Sequence, residues 1–301
     1  MFPISRRDLL RRLGLGTLAL PAVLRGMQAG AADGPRCALA KNAEAADLTQ
    51  AAIEALGGMA RFVSPGQSVV IKPNIGWDRA VEQGADTHPE VVATLVELAI
   101  AAGAKQVQVM DHTCNEPRRC YRRSGIEKAA KAAGAKVIHL RENRAVEMEI
   151  GGEILRRWPV FREVKEADVL INAPVVKHHG LTRATLGMKN WYGAIGGRRD
   201  RLHQNVPQTS VELAAFFRPQ LTVLDATRAL LRNGPQGGNP DDVSHPRMLM
   251  AGIDPVAIDA FGGSVLGLTG KELPHLAMAE ARGLGRAVWE ADDVAVVDLN
   301  R

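Results

Sequence analysis

The sequence predicts an α/β fold: a mainly parallel, three-layer arrangement with helices on both faces of the sheet and a hairpin insertion. Short apolar runs alternate along the chain with segments of helical periodicity, which is the pattern of repeated βα units. The phrase Ala-Ala-Gly-Ala-Lys occurs at 101–105 and again at 132–136, and each glycine is placed to end a helix before a strand. Polar residues follow the ends of several apolar runs, as expected of a parallel sheet with a ligand site.

The first half of the chain contains three apolar runs separated by two helical segments. The helical segments end at Gly103 and Gly134, which can adopt the left-handed conformation of a helix C-cap. The predicted elements are a strand at 68–71, a helix at 88–102, a strand at 106–110, a helix at 125–133 and a strand at 136–140.

The second half begins with a predicted hairpin, in which 144–150 and 153–160 flank Gly151-Gly152. The apolar run at 167–175 is typical of a strand buried on both faces. The remaining predicted elements are a helix near 211–217, strands at 221–224 and 248–251, and a helix that opens at Asp254-Pro255, with Asp as N-cap and Pro at the first helical position.

The N-terminal residues 1–31 resemble a bacterial twin-arginine export signal. Arg6-Arg7 precedes a modest apolar stretch at 13–24, and small residues at 29–31 form a cleavage pattern. The resemblance implies that the twin-arginine export machinery is a partner and that the mature protein lies in the periplasm; the alternative is a cytosolic amphipathic helix with a chance Arg-Arg pair. The apolar stretch is short for a membrane span, which needs about 20 residues, so no stable span is expected after the signal is removed.

Residues 32–301 are enough for one large α/β domain, which can consist of two closely packed lobes. The composition is globular, with 46% hydrophobic and 24% charged residues. The net charge of +5 owes part of its value to the arginines of the signal. Because the mature protein is therefore near neutral, no nucleic-acid partner is expected.

Three cysteines, Cys37, Cys114 and Cys120, leave two interpretations open. Cys114 and Cys120 lie in one loop after a predicted strand and can form a local disulfide, but the sequence does not set the distance between them. Alternatively, His112, Cys114 and Cys120 form a metal site. There is no run of four cysteines at ferredoxin spacing, so no iron–sulfur cluster is expected from this chain alone.

The densest group of basic and amide residues is the segment 176–193, directly after the predicted strand at 167–175. Polar residues also follow the strands at 68–71, 106–110 and 221–224. Since the carboxyl ends of parallel strands share one edge, these residues are expected to converge on one cleft. Two of them have plainer interpretations: Lys72 as a solvated turn residue and Asp225 as a helix cap.

The candidate site residues fall into three groups by the chemistry of their side chains. Lysine, arginine and amide groups suit the binding of a carboxylate or phosphate, while histidines transfer protons near neutral pH or bind a divalent metal. The catalytic candidates are His179, Lys189 and His203. The substrate-binding candidates are Lys72, Asn74, Lys177, Arg183, Asn190 and Asp225. The metal-binding candidates are His178, His203 and His112.

Six motifs in order resemble those of the DUF362 family, a domain of unknown function. They lie at 71–74, 87–90, 177–179, 188–193, 233–237 and 254–259, and the resemblance covers roughly residues 60 to 270. Some members of that family carry a ferredoxin-like segment with cluster-binding cysteines. This chain departs from that pattern, so the redox role suggested for those members does not transfer to it.

A second resemblance is to the nickel-pincer lactate racemase family, and it depends on three residues. His179, then Lys189, then His203 in a Gly-rich basic segment follow the order of that family. The resemblance implies that Lys189 carries a nicotinic-acid-derived nickel pincer, that His203 is a metal ligand and that His179 is a proton-handling base. A lysine in a desolvated basic pocket has a lowered pKa, which suits covalent attachment.

The resulting functional hypothesis is an exported enzyme that acts on a small anionic substrate with a bound metal or cofactor, as a racemase, an epimerase or an oxidoreductase-like protein. The competing hypothesis is a periplasmic protein that binds an anion or delivers a cofactor without turnover. The basic segment at 176–193 fits both, so the sequence leaves open whether the protein is an enzyme.

Overall fold

The computed structural model describes residues 34–288 and 293–300. The predicted export signal at 1–31 lies outside the described residues. The strands are β1 (Cys37–Lys41), β2 (Ser68–Pro73), β3 (Gln106–Asp111), β4 (Lys136–His139), β5 (Ala145–Glu149), β6 (Arg157–Phe161), β7 (Val169–Ala173), β8 (Val175–His179), β9 (Arg183–Thr185), β10 (Leu221–Leu230), β11 (Val243–Ser244), β12 (Met248–Gly252) and β13 (Val294–Asp298).

The helices include several that begin with proline, which is preorganised for the first helical turn. They are α1 (Ala45–Ala55), α2 (Pro89–Ala101), α3 (Pro117–Arg123), α4 (Ile126–Ala132), α5 (Arg162–Lys165), α6 (Val206–Phe217), α7 (Pro255–Val265) and α8 (Pro274–Ala281). Two 3₁₀ segments, Lys189–Ala194 and Arg199–Asn205, follow β9 and carry candidate site residues.

The central sheet has the strand order β13-β1-β12-β10-β7-β2-β3-β4. Neighbouring strands along this path are parallel, except that β12 runs antiparallel to both β1 and β10. The predicted mostly parallel α/β fold is therefore confirmed. Strands β5 and β6 form the predicted hairpin as a separate two-stranded sheet, which touches the rest of the domain through a bridge between Val160 and Ile195.

Two hydrophobic cores lie on opposite faces of the sheet, because successive side chains of a strand point in opposite directions. In β2, Val69 and Ile71 join the core that includes residues of α1, α2 and α4, whereas Val70 joins the core that includes residues of α6, α7 and α8. The sheet is thus the middle of three layers, as predicted.

Three features of the fold differ from the sequence prediction. The predicted strand at 167–175 is divided at Pro174, and the chain continues as β8, so the basic residues 177–179 lie in a strand. Strand β10 continues to Leu230 instead of ending at 224. The elements β1, α1, α8 and β13, near the two ends of the described chain, were not predicted at all.

Candidate active site

A cavity of about 590 Å³, the main chamber, lies beyond the carboxyl ends of β2 and β3 and beside β8. Ligands bind at this edge of parallel sheets. The site candidates that the structure brings together in its wall are Lys72, Asn74, His112, Lys177, His179, Lys189, Asn190 and His203.

The ammonium group of Lys72 is fully committed to protein partners. Its Nζ lies 2.8 Å from Asp111 Oδ1 and donates to Asn190 Oδ1 at 2.9 Å and to the Pro73 carbonyl at 3.0 Å. The ion pair is buried, with the two side chains 1% and 3% exposed. Since an ammonium has three donors, none is left for a ligand. Lys72 therefore positions its neighbours. Burial lowers its pKa, and the charge of Asp111 opposes this shift.

The two asparagines form the centre of the same network. Asn190 Oδ1 accepts from Asn74 Nδ2 at 2.9 Å as well as from Lys72, and Asn190 Nδ2 donates to Asn172 Oδ1 at 2.8 Å. Asn172, on β7, was not a site candidate. A saturated network of this kind fixes side-chain positions, so the amides hold the chamber wall in place.

Gly193 is required where the chain passes this network. A Cβ atom at this position would overlap the Asp111 carboxylate and would approach Lys72 Nζ to 2.7 Å. The backbone of Gly193 also accepts from the His112 N–H at 2.9 Å. The Lys-Asn-Trp-Tyr-Gly segment therefore ends in glycine because the buried ion pair occupies the space of a side chain.

Lys177 is buried in the same wall. Its Nζ donates to Asn74 Oδ1 at 2.9 Å and to the Ala85 carbonyl. Burial lowers the pKa of Lys177 to about 8 against the opposing charge of Asp86, and burial raises the pKa of Asp86 to about 7. Burial therefore favours the neutral form of each group, because separating them from water penalises both ionised forms.

Lys189 differs from the other two lysines because its ammonium has no hydrogen-bond or ion-pair partner among the described residues. Its Nζ lies 5.0 Å from the centre of the Tyr192 ring. Burial lowers the pKa of Lys189 to about 7, and the positive charge of Lys177 contributes to this shift. At neutral pH a substantial fraction of Lys189 is therefore the free amine, which can accept a proton or attack carbon.

His179 and His203 face each other, with their ring centres 5.8 Å apart. Burial and the neighbouring Lys189 lower the pKa of both imidazoles, that of His179 to about 3. His179 Nδ1 accepts from the Leu181 N–H at 3.2 Å, so the neutral ring carries its proton on Nε2. Since its pKa is lowered from 6.5, His203 offers one donor nitrogen and one acceptor nitrogen at neutral pH.

Arg199 is a cation in the chamber wall that sequence reasoning missed. Its guanidinium donates to the backbone carbonyls of His112, Tyr192 and Thr113 at 2.9–3.0 Å, and no carboxylate pairs with it among the described residues. The preceding Gly196-Gly197-Arg198 marked the segment as basic. Nothing in the sequence distinguishes Arg199 from Arg198, which pairs with the exposed Asp200.

The residues around the main chamber span 72–235. A family model described as "Domain of unknown function (DUF362)" matches residues 69–263. The chain belongs to the DUF362 family. The DUF362 match includes every residue in the wall of the main chamber, and the resemblance drawn from the six motifs is confirmed.

A curated relative is a thylakoid-associated protein of Synechocystis, 30% identical over 246 residues, which are 79% of this chain and 75% of the relative. None of the helices within residues 34–288 and 293–300 combines the length and the hydropathy that a membrane span requires.

Two solved structures share a more distant likeness. The lactate racemase apoprotein of Thermoanaerobacterium thermosaccharolyticum is 12% identical with a TM-score of 0.39, over 64% of this chain and 50% of its own. A Thermotoga maritima protein is 10% identical with a TM-score of 0.38, over 79% of this chain and 58% of its own. The chain thus spans about half the length of these structures, and at these scores neither supports a conclusion about this DUF362 protein.

Three candidates lie outside the main chamber. His178 points to the other face of β8, where its Nδ1 accepts from the Gly234 N–H at 3.1 Å. Arg183 pairs with Glu272 at 2.6 Å. Asp225 is fully buried within β10 and accepts from the His88 backbone N–H at 2.8 Å. Asp225 lies inside the strand and not at its end, because β10 continues to Leu230.

The metal candidates do not form a complete set of protein ligands. In the described ranges, no three His, Cys, Asp or Glu side chains are arranged to hold a metal ion. His112 lines the chamber, but its Nδ1 lies 3.2 Å from the Ile195 carbonyl and its Nε2 lies 3.7 Å from Glu142. His178, His203 and His112 are therefore not arranged as one metal site among the described residues.

The thiols of Cys37, Cys114 and Cys120 are free. Cys114 is exposed and lines the main chamber, whereas Cys120 is buried, so the local disulfide is not formed in this structure. Burial raises the pKa of Cys120 to about 12. Cys114 is thus the accessible thiol of the three.

Proposed function

We propose that this DUF362 protein is an enzyme that acts on a small carboxylate or phosphate bound in the main chamber. The observation that carries the proposal is the charge balance of the chamber wall. Lys72 is neutralised by Asp111, but Lys189 and Arg199 have no carboxylate partner among the described residues. Both side chains are only partly exposed. A cation that is partly removed from water and faces no carboxylate favours an anionic ligand, because the ligand supplies the missing opposite charge.

A buried hydroxyl supports the same proposal. Thr185 Oγ1 has no hydrogen-bond partner in the described part of the chain, although Thr185 is buried and lines the main chamber. Buried polar groups are nearly always hydrogen-bonded, so an unpaired one in a cavity wall indicates a ligand or an ordered water molecule. A carboxylate or phosphate oxygen is a suitable acceptor for this hydroxyl.

The chemistry proposed for the chamber is proton transfer at the bound anion. His203 is a neutral base at neutral pH, while the Nε2–H of His179 is a neutral donor. Arg199 remains charged and stabilises negative charge that develops on a substrate oxygen. Removal of a proton from the carbon next to a carboxylate needs these three elements, which supports the racemase or epimerase version of the proposal.

The binding half of the proposal is tested by calorimetric titration with acetate and inorganic phosphate. Lys189→Met is expected to weaken binding at least about tenfold, which is the loss of one charge-assisted contact. Lys165→Met is the matched control, because Lys165 also packs over an aromatic ring, at 4.4 Å from Phe216, and has a pKa lowered by burial, yet lies outside the chamber. Equal affinity in the two variants contradicts the proposal.

The catalytic half is tested by proton exchange. Small 2-hydroxy and 2-amino carboxylates are incubated with the protein in D₂O, and loss of the α-proton signal is followed by NMR. Exchange that disappears in His203→Ala while affinity is retained supports catalysis. Binding without exchange in the wild type favours the alternative, a periplasmic protein that captures an anion or delivers a cofactor.

A bound metal or cofactor remains a separate part of the hypothesis. The unpaired amine of Lys189 suits covalent attachment, which is the role that resemblance to the nickel-pincer family implies. Elemental analysis and intact-mass spectrometry of protein purified from its natural compartment test this directly. A mass increase that is lost in Lys189→Arg supports attachment, and an unmodified, metal-free but active protein contradicts it.

Export is the last part of the proposal. The Arg6-Arg7 pair and the apolar stretch at 13–24 support transport by the twin-arginine pathway, and the thylakoid-associated relative supports a location at a membrane surface. Cell fractionation of an Arg6→Lys/Arg7→Lys variant is the test. The variant is expected to stay in the cytoplasm, and unchanged export contradicts the proposed pathway.

A further inference from the structure

We infer that the ligand of this protein has two parts: an anionic group in the main chamber and an uncharged, hydroxyl-bearing chain in a second cavity beside it. The inference rests on the proposed function, since it takes the main chamber as an anion site. The second cavity, the side chamber, has a volume of about 290 Å³. Residues that line it include Leu186, Val206, Pro207, Ser210, Pro274 and His275.

The two chambers adjoin. Leu181, Lys189 and His203 line both of them, so the proposed catalytic groups stand between the chambers. Leu181 is 76% exposed, which is unusual for a leucine and places an apolar side chain where the chambers meet. A ligand that reaches from one chamber into the other would therefore pass Lys189 and His203, the groups that act on it.

The charges of the two chambers differ. In the side chamber the charge of Arg183 is neutralised by Glu272 at 2.6 Å, and Asp259 faces His275 at 3.2 Å. Asp259 is also held by the backbone N–H groups of Gly187 and Met188, at 2.7 and 3.2 Å. Apart from the shared Lys189, the side chamber thus offers no uncompensated charge among the described residues. Its wall suits an uncharged part of a ligand.

Two polar groups in this wall can recognise a hydroxyl or carbonyl oxygen. Ser210 is 2% exposed, and its Oγ has no hydrogen-bond partner among the described residues. It lies near the Tyr192 hydroxyl, which is hydrogen-bonded to Thr209 Oγ1 at 2.5 Å, without reaching hydrogen-bond geometry itself. His275 Nε2 lies 3.2 Å from the Asp259 carboxylate, an acceptor, so the proton of the neutral ring is on Nε2 and its Nδ1 is an acceptor.

Apolar groups supply the rest of the surface: Leu186 and Val206 are buried, and Pro207 and Pro274 complete the wall. A short carbon chain fills such a surface, while one hydroxyl on it satisfies Ser210. The ligand class that fits both chambers is therefore a carboxylate or phosphate ester with a short hydroxylated chain. A bare anion occupies only the main chamber.

The test compares probes that share an anionic group and differ in the chain. Acetate is paired with 4-hydroxybutyrate, and inorganic phosphate with sn-glycerol 3-phosphate, in calorimetric titrations of the full-length protein. In at least one pair the longer probe is expected to bind about tenfold more tightly. The Ser210→Ala variant is expected to lose most of this gain and to bind the shorter probe as the wild type does.

Two further variants keep the outcome interpretable. Ser264→Ala is the matched control, because Ser264 is a helical serine outside both chambers, whose hydroxyl bonds to the Phe261 carbonyl. It should leave both affinities unchanged. Gln204→Trp, at an exposed position in the wall of the side chamber, should weaken only the longer probe by filling the space.

The outcomes separate the two proposals. If the shorter probes bind and the longer ones gain nothing in either pair, the two-part ligand is refuted and the anion site stands. If no probe binds, the proposed function itself fails. If the longer probe gains affinity that Ser210→Ala and Gln204→Trp both leave intact, the chain lies elsewhere and the side chamber is not its site.

Discussion

Replacing Lys72 by methionine tests the buried network that supports the main chamber. The change keeps most of the apolar stem and removes the charge that lies 2.8 Å from Asp111. The Asp111 carboxylate, 3% exposed, would retain hydrogen bonds from the backbone N–H groups of Ile75 at 2.6 Å and His112 at 3.0 Å, but no cation in contact. Removing one partner of a buried ion pair costs about 3–5 kcal/mol.

Urea unfolding followed by circular dichroism at pH 7 measures this free-energy change, and thermal unfolding should show a decrease of about 6–20 °C in Tm for a domain of this size. The double variant Lys72→Met/Asp111→Asn removes both charges and is expected to recover at least about 2 kcal/mol relative to the sum of the single changes. A loss below about 1 kcal/mol in Lys72→Met, or additive effects in the double variant, would refute the structural role given to this pair.

Other consequences follow from the burial of Lys189 and from the three thiols. Because the pKa of Lys189 falls from 10.5 in the unfolded chain to about 7 in the fold, the unfolded state binds more protons between these values, and this group's contribution to stability rises with pH across that window. Lys189→Met should therefore stabilise the protein most at pH 7 and below, with the gain shrinking towards pH 10; a constant gain in urea unfolding would contradict the shift. A thiol reagent should label Cys114 in the native protein but leave Cys37 and Cys120 unreacted until unfolding, and saturating phosphate should slow the labelling of Cys114; rapid labelling of Cys37 or Cys120 would contradict their burial.

The sequence predicted the elements that have strong periodicity and clear boundaries. The helix over 88–102 is observed as Pro89–Ala101, because His88-Pro89 starts it and Gly103 follows its end. The elements at the two ends of the described chain were missed. Strand β1, with the sequence Cys-Ala-Leu-Ala-Lys, is too short and too rich in alanine to be recognised, and its stability comes from pairing with β12 and β13, which are distant in sequence.

The sequence predicted that polar residues after β2 and β3 converge at one edge of a parallel sheet, and in the structure these residues line the main chamber. The roles within it depend on contacts that only the fold supplies. The sequence does not distinguish the three lysines Lys72, Lys177 and Lys189. In the structure, Lys72 pairs with Asp111, and Lys177 donates to amide and carbonyl oxygens. Lys189 has neither kind of partner among the described residues. The prediction for Asp225 depended on where β10 ends, and strand ends are set by neighbouring strands.

Sulfate titration of the wild type and of Lys189→Met between pH 6 and pH 7.5 tests the central claim most directly. Sulfate keeps a constant charge over this range, and His179, whose pKa is lowered to about 3, stays neutral. Any titration of His203 occurs in both proteins, so the comparison with Lys189→Met isolates the contribution of Lys189. The wild type should bind sulfate several-fold more tightly at pH 6, where Lys189 is charged, than at pH 7.5, and the variant should bind weakly and lose most of this dependence. The same affinity and the same pH dependence in both proteins would contradict the assignment of the main chamber as an anion site that depends on Lys189.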